Sequence, residues 1–374
     1  MVIKLAIRNL FHDRSRFLVT LVGILFAVVL VAVQLGMYFG ARRMITGMID
    51  HTSADIWISK YGTESIEQGD FQSGRERFTA LAVPGVEAVT PLVVSFAEWH
   101  RPDSSIAHVV VVGSDDADTT LKPWNVVEGS SGPLSPDGVV VDRTYLPALG
   151  ITGVGSFGEI GGKRVKVEGL TNGIRSFTTS PYVFTSMKKA HALFSVPPGQ
   201  ANFYLVKLAP GAVAAEVKRE LQSRLPDSSV FTKTEFRQRN LDYWLFGTGA
   251  GVALLGGAAL GLIIGTVIVA QTLYSSTKDH LSEFATLRAL GSSSLYIHKV
   301  ILTQAAVSAV CGFVLGTILA LLISQLSGHT ALPIVLTPAI AAFLFAVTLI
   351  MCAISAVSSI LKVTKIDPAM VFAR

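Results

Sequence analysis

Long stretches of this chain contain no charged residue, and they predict helices that cross a membrane. No charge occurs between residues 17 and 41, between 243 and 277, or between 300 and 361. A helix of about 20 apolar residues crosses about 30 Å of hydrocarbon, so the last stretch is long enough for two crossings. Glycine, proline and polar residues interrupt it at 327–333 and are typical of a turn. The pattern predicts four membrane helices, at 17–40, 245–273, 300–326 and 336–361.

A cleaved secretory signal is the alternative interpretation of the first helix. A signal has an apolar segment of about 7 to 15 residues, followed by a small-residue cleavage site. Here the uncharged stretch is longer, and no Ala-x-Ala-like site follows before Arg42 and Arg43. We therefore interpret the first helix as an uncleaved anchor.

The distribution of charge predicts how the chain is oriented. The short segments 1–16, 274–299 and 362–374 together carry ten basic and four acidic residues, whereas 41–242 carries 21 basic and 22 acidic residues. An excess of Lys and Arg in short loops marks the cytoplasmic side of a membrane. Both termini and the loop 274–299 are therefore predicted to be cytoplasmic, and 41–242 is predicted to lie outside.

Segment 41–242 has the pattern of a mixed domain of strands and helices. Runs that alternate and are rich in β-branched residues predict strands at 54–59, 87–98, 107–113, 138–142, 163–170, 202–208 and 228–232. Helical periodicity predicts helices at 76–82, 187–194 and 212–225. Gly- and Pro-rich turns punctuate 115–198, which predicts a lobe inserted into a first α+β unit. The predicted fold class is an α-helical membrane protein with four transmembrane helices plus a large α+β extracytoplasmic (periplasmic) domain between helices 1 and 2.

Composition agrees with a membrane protein. The 374 residues are 50% hydrophobic and only 15% charged, with a mean hydropathy of +0.53. This composition excludes an ordinary soluble enzyme. Cys311 and Cys352 both lie in apolar stretches, so the polar domain has neither a disulfide framework nor a cysteine zinc site.

No motif in the polar domain indicates catalysis. A phosphate loop is suggested by the run Gly158-Glu159-Ile160-Gly161-Gly162-Lys163-Arg164. Its spacing is one residue short of a Walker A motif, and Arg164 replaces the hydroxyl that holds magnesium, so a hairpin turn is the better interpretation. Asp115, Asp116 and Asp118 lack the loop of a calcium site and are interpreted as a solvated turn. We expect no enzyme activity, metal site or cofactor in this chain.

Small and polar residues recur at helical spacing in the predicted spans. Such a face lets membrane helices approach closely. We predict helix packing at Gly257, Gly261 and Gly265 of the second span and at Gln304, Ser308, Gly312 and Gly316 of the third. For Gly36 and Gly40 of the first span, packing and the general abundance of glycine in membrane helices explain the sequence equally well. No Asp, Glu, Lys or Arg lies inside a span, which argues against a carrier driven by protons or ions.

Two short amphipathic helices are predicted on the cytoplasmic side. In 1–16, one face carries Ile3, Ala6, Ile7, Leu10 and Phe11. This helix is predicted to lie on the membrane surface, with an extension of the first span as the alternative. In 274–299, Ser276 and Asp279 have the spacing of a helix cap, and apolar residues then recur until Gly291. By its pattern alone the second helix could also lie on lipid.

The sequence of the second amphipathic helix resembles that of a loop in a known protein family. The run Glu283-Phe284-Ala285-Thr286-Leu287-Arg288-Ala289-Leu290-Gly291 resembles the cytoplasmic loop of FtsX/MacB-type ABC transporter permeases. Pro84-Gly85-Val86-Glu87-Ala88-Val89-Thr90-Pro91 is similar to the start of their periplasmic domain, and Lys365-Ile366-Asp367-Pro368-Ala369 is similar to their cytoplasmic tail. The opening Ile7-Arg8-Asn9-Leu10 and the run Gln34-Leu35-Gly36 most resemble DevC-type permeases.

The resemblance implies a function and its partners. It implies a dimer of permease copies in a bacterial inner membrane, each bound to a separate ABC ATPase subunit that holds ATP and magnesium. The residues implied to contact that ATPase are Glu283, Phe284, Leu287, Arg288 and Gly291. It further implies mechanotransmission, in which the periplasmic domain moves against a HlyD-type periplasmic adaptor and an outer-membrane duct. The exported substrate would be amphiphilic, such as a glycolipid or lipopeptide, and no nucleic acid would bind.

Two other functions stay open within the same superfamily. A lipoprotein-releasing permease passes lipidated proteins to a soluble chaperone, whereas an FtsX-like regulator activates cell-wall hydrolases. The external domain, at about 200 residues, is large for the second role. We therefore rank the export function first.

Overall fold

The computed structural model describes residues 2–115, 120–132, 134–280, 283, 286, 292–328, 330 and 332–363. The chain forms two compact units. Among the described residues, the helical unit comprises 2–40, 252–328 and 333–363, and the α+β unit comprises 41–251 together with 330 and 332.

Ten α-helices lie in the described residues. In chain order they are α1 (Val2–His12), α2 (Arg14–Asp50), α3 (Arg75–Leu81), α4 (Leu146–Leu149), α5 (Met187–Phe194), α6 (Ala214–Arg224), α7 (Lys233–Leu241), α8 (Ala250–Asp279), α9 (Ser294–Ser327) and α10 (Pro338–Val363). Four of them, α2, α8, α9 and α10, are long and apolar enough to cross a membrane. They are the four predicted spans in the predicted order.

The first span is longer than predicted. α2 has 37 residues and ends at Asp50, whereas the uncharged stretch ends before Arg42. Its continuation is stabilised by apolar side chains that stay buried at helical spacing. These side chains are Met44, Ile45, Met48 and Ile49.

The second span begins later than predicted. A π-helix, Asp242–Gly247, precedes it. Gly249 follows with a φ of +78°, a left-handed conformation that glycine adopts readily and that interrupts a right-handed helix. α8 therefore begins at Ala250 instead of 245.

The described strands of the α+β unit form one hydrogen-bonded sheet. They are β1 (Ile56–Lys60), β2 (Val86–His100), β3 (Ile106–Ser114), β4 (Val126–Gly129), β5 (Gly138–Asp142), β6 (Phe157–Ile160), β7 (Lys163–Thr171), β8 (Tyr182–Ser186), β9 (Phe203–Leu208) and β10 (Ser228–Thr232). The order is β10-β1-β9-β2-β3-β8-β5-β7-β4, with β6 paired to β2 and β7. β2 pairs with β9 over its first half and with β3 over its second half, so this long strand joins the two halves of the sheet.

The stretch 115–198 contributes β4 to β8, which extend the sheet beyond β3. Three of these strands, β4, β6 and β8, were not predicted. β8 lies between β3 and β5, in parallel pairing with β3 from Val110 opposite Tyr182 onward. Its position depends on these distant partners and not on a local alternating pattern, and strand formation is sensitive to that context.

A hydrophobic core covers each face of the sheet. Trp99 lies in one core and Trp57 in the other, and both side chains are fully buried. Strands that are buried on both faces have nearly continuous runs of apolar residues in their sequences. This explains why the runs at 109–112 and 139–141 were recognisable as strands.

The run that suggests a phosphate loop is a hairpin, as interpreted. β6 and β7 pair with Ile160 opposite Lys163. Gly161 and Gly162 between them have φ of +55° and +73°. Two consecutive residues with positive φ fit a tight hairpin turn, which glycine forms without steric cost.

Candidate functional site

The residues predicted to contact an ATPase follow α8 in the chain. Phe284, Leu287, Arg288 and Gly291 lie outside the described residues. Glu283 is helical and exposed, and its Oε2 lies 3.1 Å from Nδ1 of His280. Side chains three residues apart meet on one helix face. The carboxylate of Glu283 is therefore oriented by His280 while it remains accessible.

The helix cap predicted at Ser276 is wrong. Ser276 lies inside α8, which continues to Asp279. The Oγ1 of Thr277 donates to the carbonyl oxygen of Leu273 at 2.7 Å, and the backbone N of His280 donates to the carbonyl oxygen of Ser276 at 3.3 Å. α8 does not end at the capping pattern around Ser276, because the backbone groups there make hydrogen bonds within α8 itself.

An ion-pair cluster that was not predicted joins the beginning of the first span to the end of the second. Arg16 pairs with Asp279 and lies 3.2 Å from Asp13. Its Nη1 also donates to the carbonyl oxygen of Ser275 at 3.4 Å. The side chains are partly exposed, so the pairs stabilise the fold by roughly 0 to 1 kcal/mol each. Their main effect is to fix the start of α2 beside the chain segment that leads to Glu283.

The N-terminal helix α1 packs on α9 through Ala6, with Val2 and Leu5 partly buried beside it. Ala6 is fully buried and contacts Val300. Ile3, Ile7 and Phe11 are instead 64%, 39% and 56% exposed. The single apolar face predicted for this helix is thus divided into a packed part and an exposed stripe. An exposed apolar stripe of this kind is typical of a helix at a membrane surface.

The predicted glycine face of α8 lies against α2. The contacts are Gly257 with Gln34, Gly261 with Leu30, and Gly265 with Ala27. A Cβ added at Gly261 would lie 3.0 Å from Cδ2 of Leu30, and one added at Gly265 would overlap the Cβ of Ala27. The two helices therefore approach where α8 has no side chains, which increases dispersion contact between them.

The small and polar face of α9 also lies against α2. A Cβ added at Gly312 would lie 2.5 Å from Cγ2 of Ile24, and one added at Gly316 would lie 2.8 Å from Cβ of Val28. Gln304 and Ser308, on the same face, are buried. α2 is therefore packed against both α8 and α9 within the helical unit.

Gly36 and Gly40 contact a loop and not another helix. Added Cβ atoms would overlap Ile334 at Gly36 and the carbonyl oxygen of Pro333 at Gly40. The backbone N of Val335 donates to the carbonyl oxygen of Gly36 at 3.0 Å. These glycines let the segment between α9 and α10 approach the backbone of α2.

Two serines of α10, not singled out from the sequence, bond to α8. The hydroxyl of Ser355 is shared between the carbonyl oxygens of Thr266 at 3.0 Å and Met351 at 2.8 Å. The hydroxyl of Ser359 is shared in the same way between those of Ala270 at 3.2 Å and Ser355 at 3.0 Å. Interhelical hydrogen bonds in membranes contribute about 0.6 to 2 kcal/mol each. Their four-residue spacing, on one helix face, is a signal that the sequence contains.

The described residues contain no group of three His, Cys, Asp or Glu side chains placed to hold a metal ion. Of the three aspartates considered as a cation site, Asp115 is described, while Asp116 and Asp118 lie outside the described residues.

Glu67 is a buried carboxyl group of the α+β unit. Its Oε1 accepts a hydrogen bond from the hydroxyl of Tyr182 at 2.8 Å, and its Oε2 accepts one from Nε1 of Trp244 at 3.2 Å. Burial raises the pKa of Glu67 above its ordinary value of 4.5, although both hydrogen bonds act to lower it. Burial and the neighbouring Glu67 also raise the pKa of Tyr182 well above its ordinary value of 10.0. Removal from water therefore outweighs the hydrogen bonds at this carboxyl group.

Comparison with known families gives two matches that follow one another along the chain. Residues 17–224 match the family model of the MacB-like periplasmic core domain, and residues 255–368 match that of the FtsX-like permease C-terminal region. The first match alone covers more than half of the chain.

Curated proteins and solved structures give further similarities. The chain is 24% identical over 376 residues to an uncharacterized ABC transporter permease of Mycobacterium tuberculosis, and 23% identical over 372 residues to one of Mycobacterium bovis, with 98% of each chain covered in both comparisons.

The periplasmic region of MacB from Actinobacillus actinomycetemcomitans gives a TM-score of 0.39 at 12% identity, covering 52% of this chain and 96% of that one. The extracellular domain of the noncanonic ABC-type transporter YknZ from Gram-positive bacteria gives 0.35 at 13% identity, covering 48% and 98%.

Proposed function

The chain belongs to the FtsX/MacB-type family of ABC transporter permeases, and we propose that it is the membrane subunit of a mechanotransmission exporter. In this proposal a separate ATPase subunit binds ATP and magnesium on the cytoplasmic side. Two permease copies form the membrane part of the complex. Closure of the ATPase moves the α+β units, which lie outside, and this movement drives export.

The helix α2 is the observation that carries the proposal. It is continuous over 37 residues, or about 55 Å at 1.5 Å per residue, whereas the hydrocarbon core is about 30 Å thick. Near its start, Arg16 pairs with Asp279, four residues before Glu283. At its end, Oδ1 of Asp50 accepts a hydrogen bond from Nε of Arg237 at 3.0 Å, in α7. One continuous element thus has polar attachments beside the proposed ATPase contact and also within the α+β unit.

We further propose a location in a bacterial inner membrane, with both termini in the cytoplasm. The excess of basic residues in 1–16, 274–299 and 362–374 supports this orientation, because it follows the positive-inside rule. The exposed stripe of α1 supports a position of that helix at the cytoplasmic surface of the bilayer.

The proposed substrate is an amphiphile such as a glycolipid or lipopeptide, passed to a HlyD-type adaptor and an outer-membrane duct. The resemblance to MacB-type permeases supports this class, and the absence of Asp, Glu, Lys and Arg from the uncharged stretches argues against a path for ions through the spans. Deletion of the gene should leave the amphiphile in the inner membrane. Retention of lipoproteins instead would indicate a lipoprotein-releasing permease, and a pure defect in cell-wall hydrolysis would indicate an FtsX-like regulator.

Binding to the ATPase tests the proposed function. The full chain and the ATPase encoded with it are purified together in detergent, and ATP hydrolysis is measured with and without Leu287→Asp and Arg288→Glu. We expect both variants to lose the complex and the permease-dependent ATP turnover. Arg75→Glu is the matched control, because it reverses the charge of an exposed arginine in the α+β unit. If Arg288→Glu behaves like Arg75→Glu, the proposed coupling site is wrong.

A further inference from the structure

The chain that leads to α8 is held by a segment that follows β1. The Nε of Arg239 donates to the carbonyl oxygen of Thr63 at 2.9 Å. The Oδ1 of Asn240 accepts a hydrogen bond from the backbone N of Ile66 at 2.8 Å. We call the two paired segments, 63–68 and 239–244, the clasp.

The clasp continues from α7 into the π-helix Asp242–Gly247. The Nε2 of Gln68 donates to the hydroxyl of Tyr243 at 2.7 Å, and Nε1 of Trp244 donates to Glu67. Two adjacent residues of one segment therefore hold two adjacent residues of the other. π-helices are rare and occur often at functional sites. Here the π-helix ends at Gly247, three residues before α8 begins at Ala250.

Glu67 connects the clasp to the inserted part of the sheet as well. Its second carboxylate oxygen accepts the hydrogen bond of Tyr182, which lies in β8. The ring of Phe177, just before β8, packs on Trp244 with ring centroids 5.5 Å apart at 64°. One buried carboxyl group thus joins the segment after β1, the strand β8 and the chain that leads to the second span.

Stability alone is a poor explanation for this arrangement. Burying a carboxyl group costs free energy, and apolar side chains of similar volume often stabilise a protein as well or better. Hydrogen bonds from two directions, however, fix the relative positions of the three elements that supply them. A junction of this kind transmits a displacement of one element to the other two.

We propose that Glu67 and Trp244 are positioning residues that transmit movement of α8 to both halves of the sheet in the α+β unit. This inference rests on the proposed function, since it concerns how an ATP-driven movement of the spans reaches the α+β unit. It adds a second connection to the one that α2 provides, and it places that connection at a single hydrogen-bonded junction.

Hydrogen exchange in the complete complex tests the inference. The permease and its ATPase are reconstituted in nanodiscs, and amide exchange of segment 172–186 is compared without nucleotide and with ATP trapped by vanadate. In the wild type we expect the trapped state to change the exchange rate of this segment. In Trp244→Phe, which keeps a ring but loses the N–H, we expect that nucleotide-dependent change to shrink by about fivefold, the factor that loss of one hydrogen bond implies. ATPase binding and ATP turnover should stay near their wild-type values, because Trp244 is not among the residues proposed to contact the ATPase.

Trp99→Phe is the matched control. Trp99 is fully buried whereas Trp244 is half-buried, and Nε1 of Trp99 donates to the carbonyl oxygen of Leu149 at 3.1 Å, outside the clasp. This variant should keep the nucleotide-dependent change. If Trp244→Phe also keeps it, the inference is overturned.

A second variant protects the test against misfolding. Tyr243→Phe removes the bond to Gln68 at an exposed position and should shrink the change in the same direction. If Trp244→Phe does not fold and Tyr243→Phe keeps the full change, the inference is likewise overturned. If the wild-type complex shows no nucleotide-dependent change, both this inference and the proposed function are overturned. If the wild type shows the change and the variants keep it in full, this inference alone is overturned.

Discussion

At Gly265, α8 has no space for even one methyl group. The added Cβ would overlap Ala27 and would lie 3.0 Å from Sδ of Met351. Gly265→Ala should therefore lower the stability of the helical unit by about 1 to 3 kcal/mol, the usual cost of overpacking. Thermal unfolding of the purified chain in detergent measures the loss.

Another glycine of α8, Gly256, provides the control for this prediction. A Cβ added at Gly256 meets nothing within 4 Å, so Gly256→Ala should leave stability unchanged or raise it by up to about 1 kcal/mol through better helix propensity. Equal melting temperatures for the two variants would contradict the close packing of α2 and α8.

Glu67 provides a pH-dependent prediction. The pKa of Glu67 in the folded chain lies above its ordinary value of 4.5. The contribution of Glu67 to the free energy of unfolding is therefore most favourable at acidic pH, where the carboxyl group is neutral in both the folded and the unfolded chain. That contribution is lost as pH rises from 4.5 through the raised pKa. Glu67→Gln has no such ionisation, so its stability relative to the wild type should improve as pH rises through this window.

Melting temperatures of both chains across the pH series test this prediction. The groups that face the carboxyl are Tyr182, Trp244 and Ser65; Tyr182 ionises only at far higher pH, and the other two do not ionise in this window. A difference between the two chains that stays constant with pH would contradict the raised pKa of Glu67.

The glycines of α8 and α9 could be predicted from the sequence, and Glu67 could not. Gly257, Gly261 and Gly265 are linked by local helical spacing, which one sequence displays directly. Glu67 meets partners 115 and 177 residues away, and nothing near it in the sequence distinguishes it from an exposed glutamate. Arg16 was missed for the same reason, because its partner Asp279 is supplied by the packing of two distant helices.

At the scale of elements, the edge strand β10 is closed by a side chain. The Nε2 of Gln222 donates to the carbonyl oxygen of Ser228 at 2.9 Å, and its Oε1 accepts from the backbone N of Val230 at 3.1 Å. Gln222→Ala should leave both backbone groups without this partner and lower the stability of the chain by about 1 to 3 kcal/mol. Denaturant unfolding measures the loss.

Gln222→Glu sharpens this test. The carboxylate keeps an acceptor for Val230 but places a negative charge against the carbonyl oxygen of Ser228, so it should be at least as destabilising as Gln222→Ala. Wild-type stability in both variants would show that the amide of Gln222 does not close the edge of β10.

Elements with a strong local pattern were predicted well. The strands at 138–142 and 228–232 have the predicted bounds, and the helix at 187–194 does also. The errors occur in elements whose existence or bounds depend on contacts with residues that are distant in the sequence. β8 depends on pairing with β3 and β5, and the end of α2 depends on burial of its last turns in the α+β unit.

At the scale of the whole molecule, the division between apolar and charged stretches predicts four spans and one large polar unit, and the described helices agree with it. The sidedness of the membrane stays a prediction, because it rests on the distribution of charge alone. The residues proposed to contact the ATPase likewise stay a prediction, since Phe284, Leu287, Arg288 and Gly291 lie outside the described residues. Hydrophobic patterning therefore determines the architecture of this chain more directly than it determines its partners.

The most direct test of the mechanism is a distance between the two permease copies outside the membrane. Phe78 is 71% exposed on α3, so Phe78→Cys can carry a spin label after Cys311 and Cys352 are replaced by alanine. Distances are measured in the complex with the ATPase, first without nucleotide and then with ATP bound to a hydrolysis-deficient ATPase. Mechanotransmission predicts that ATP shifts the distance distribution and that Arg288→Glu abolishes the shift. Identical distributions in the two nucleotide states, with the ATPase still bound, would contradict it.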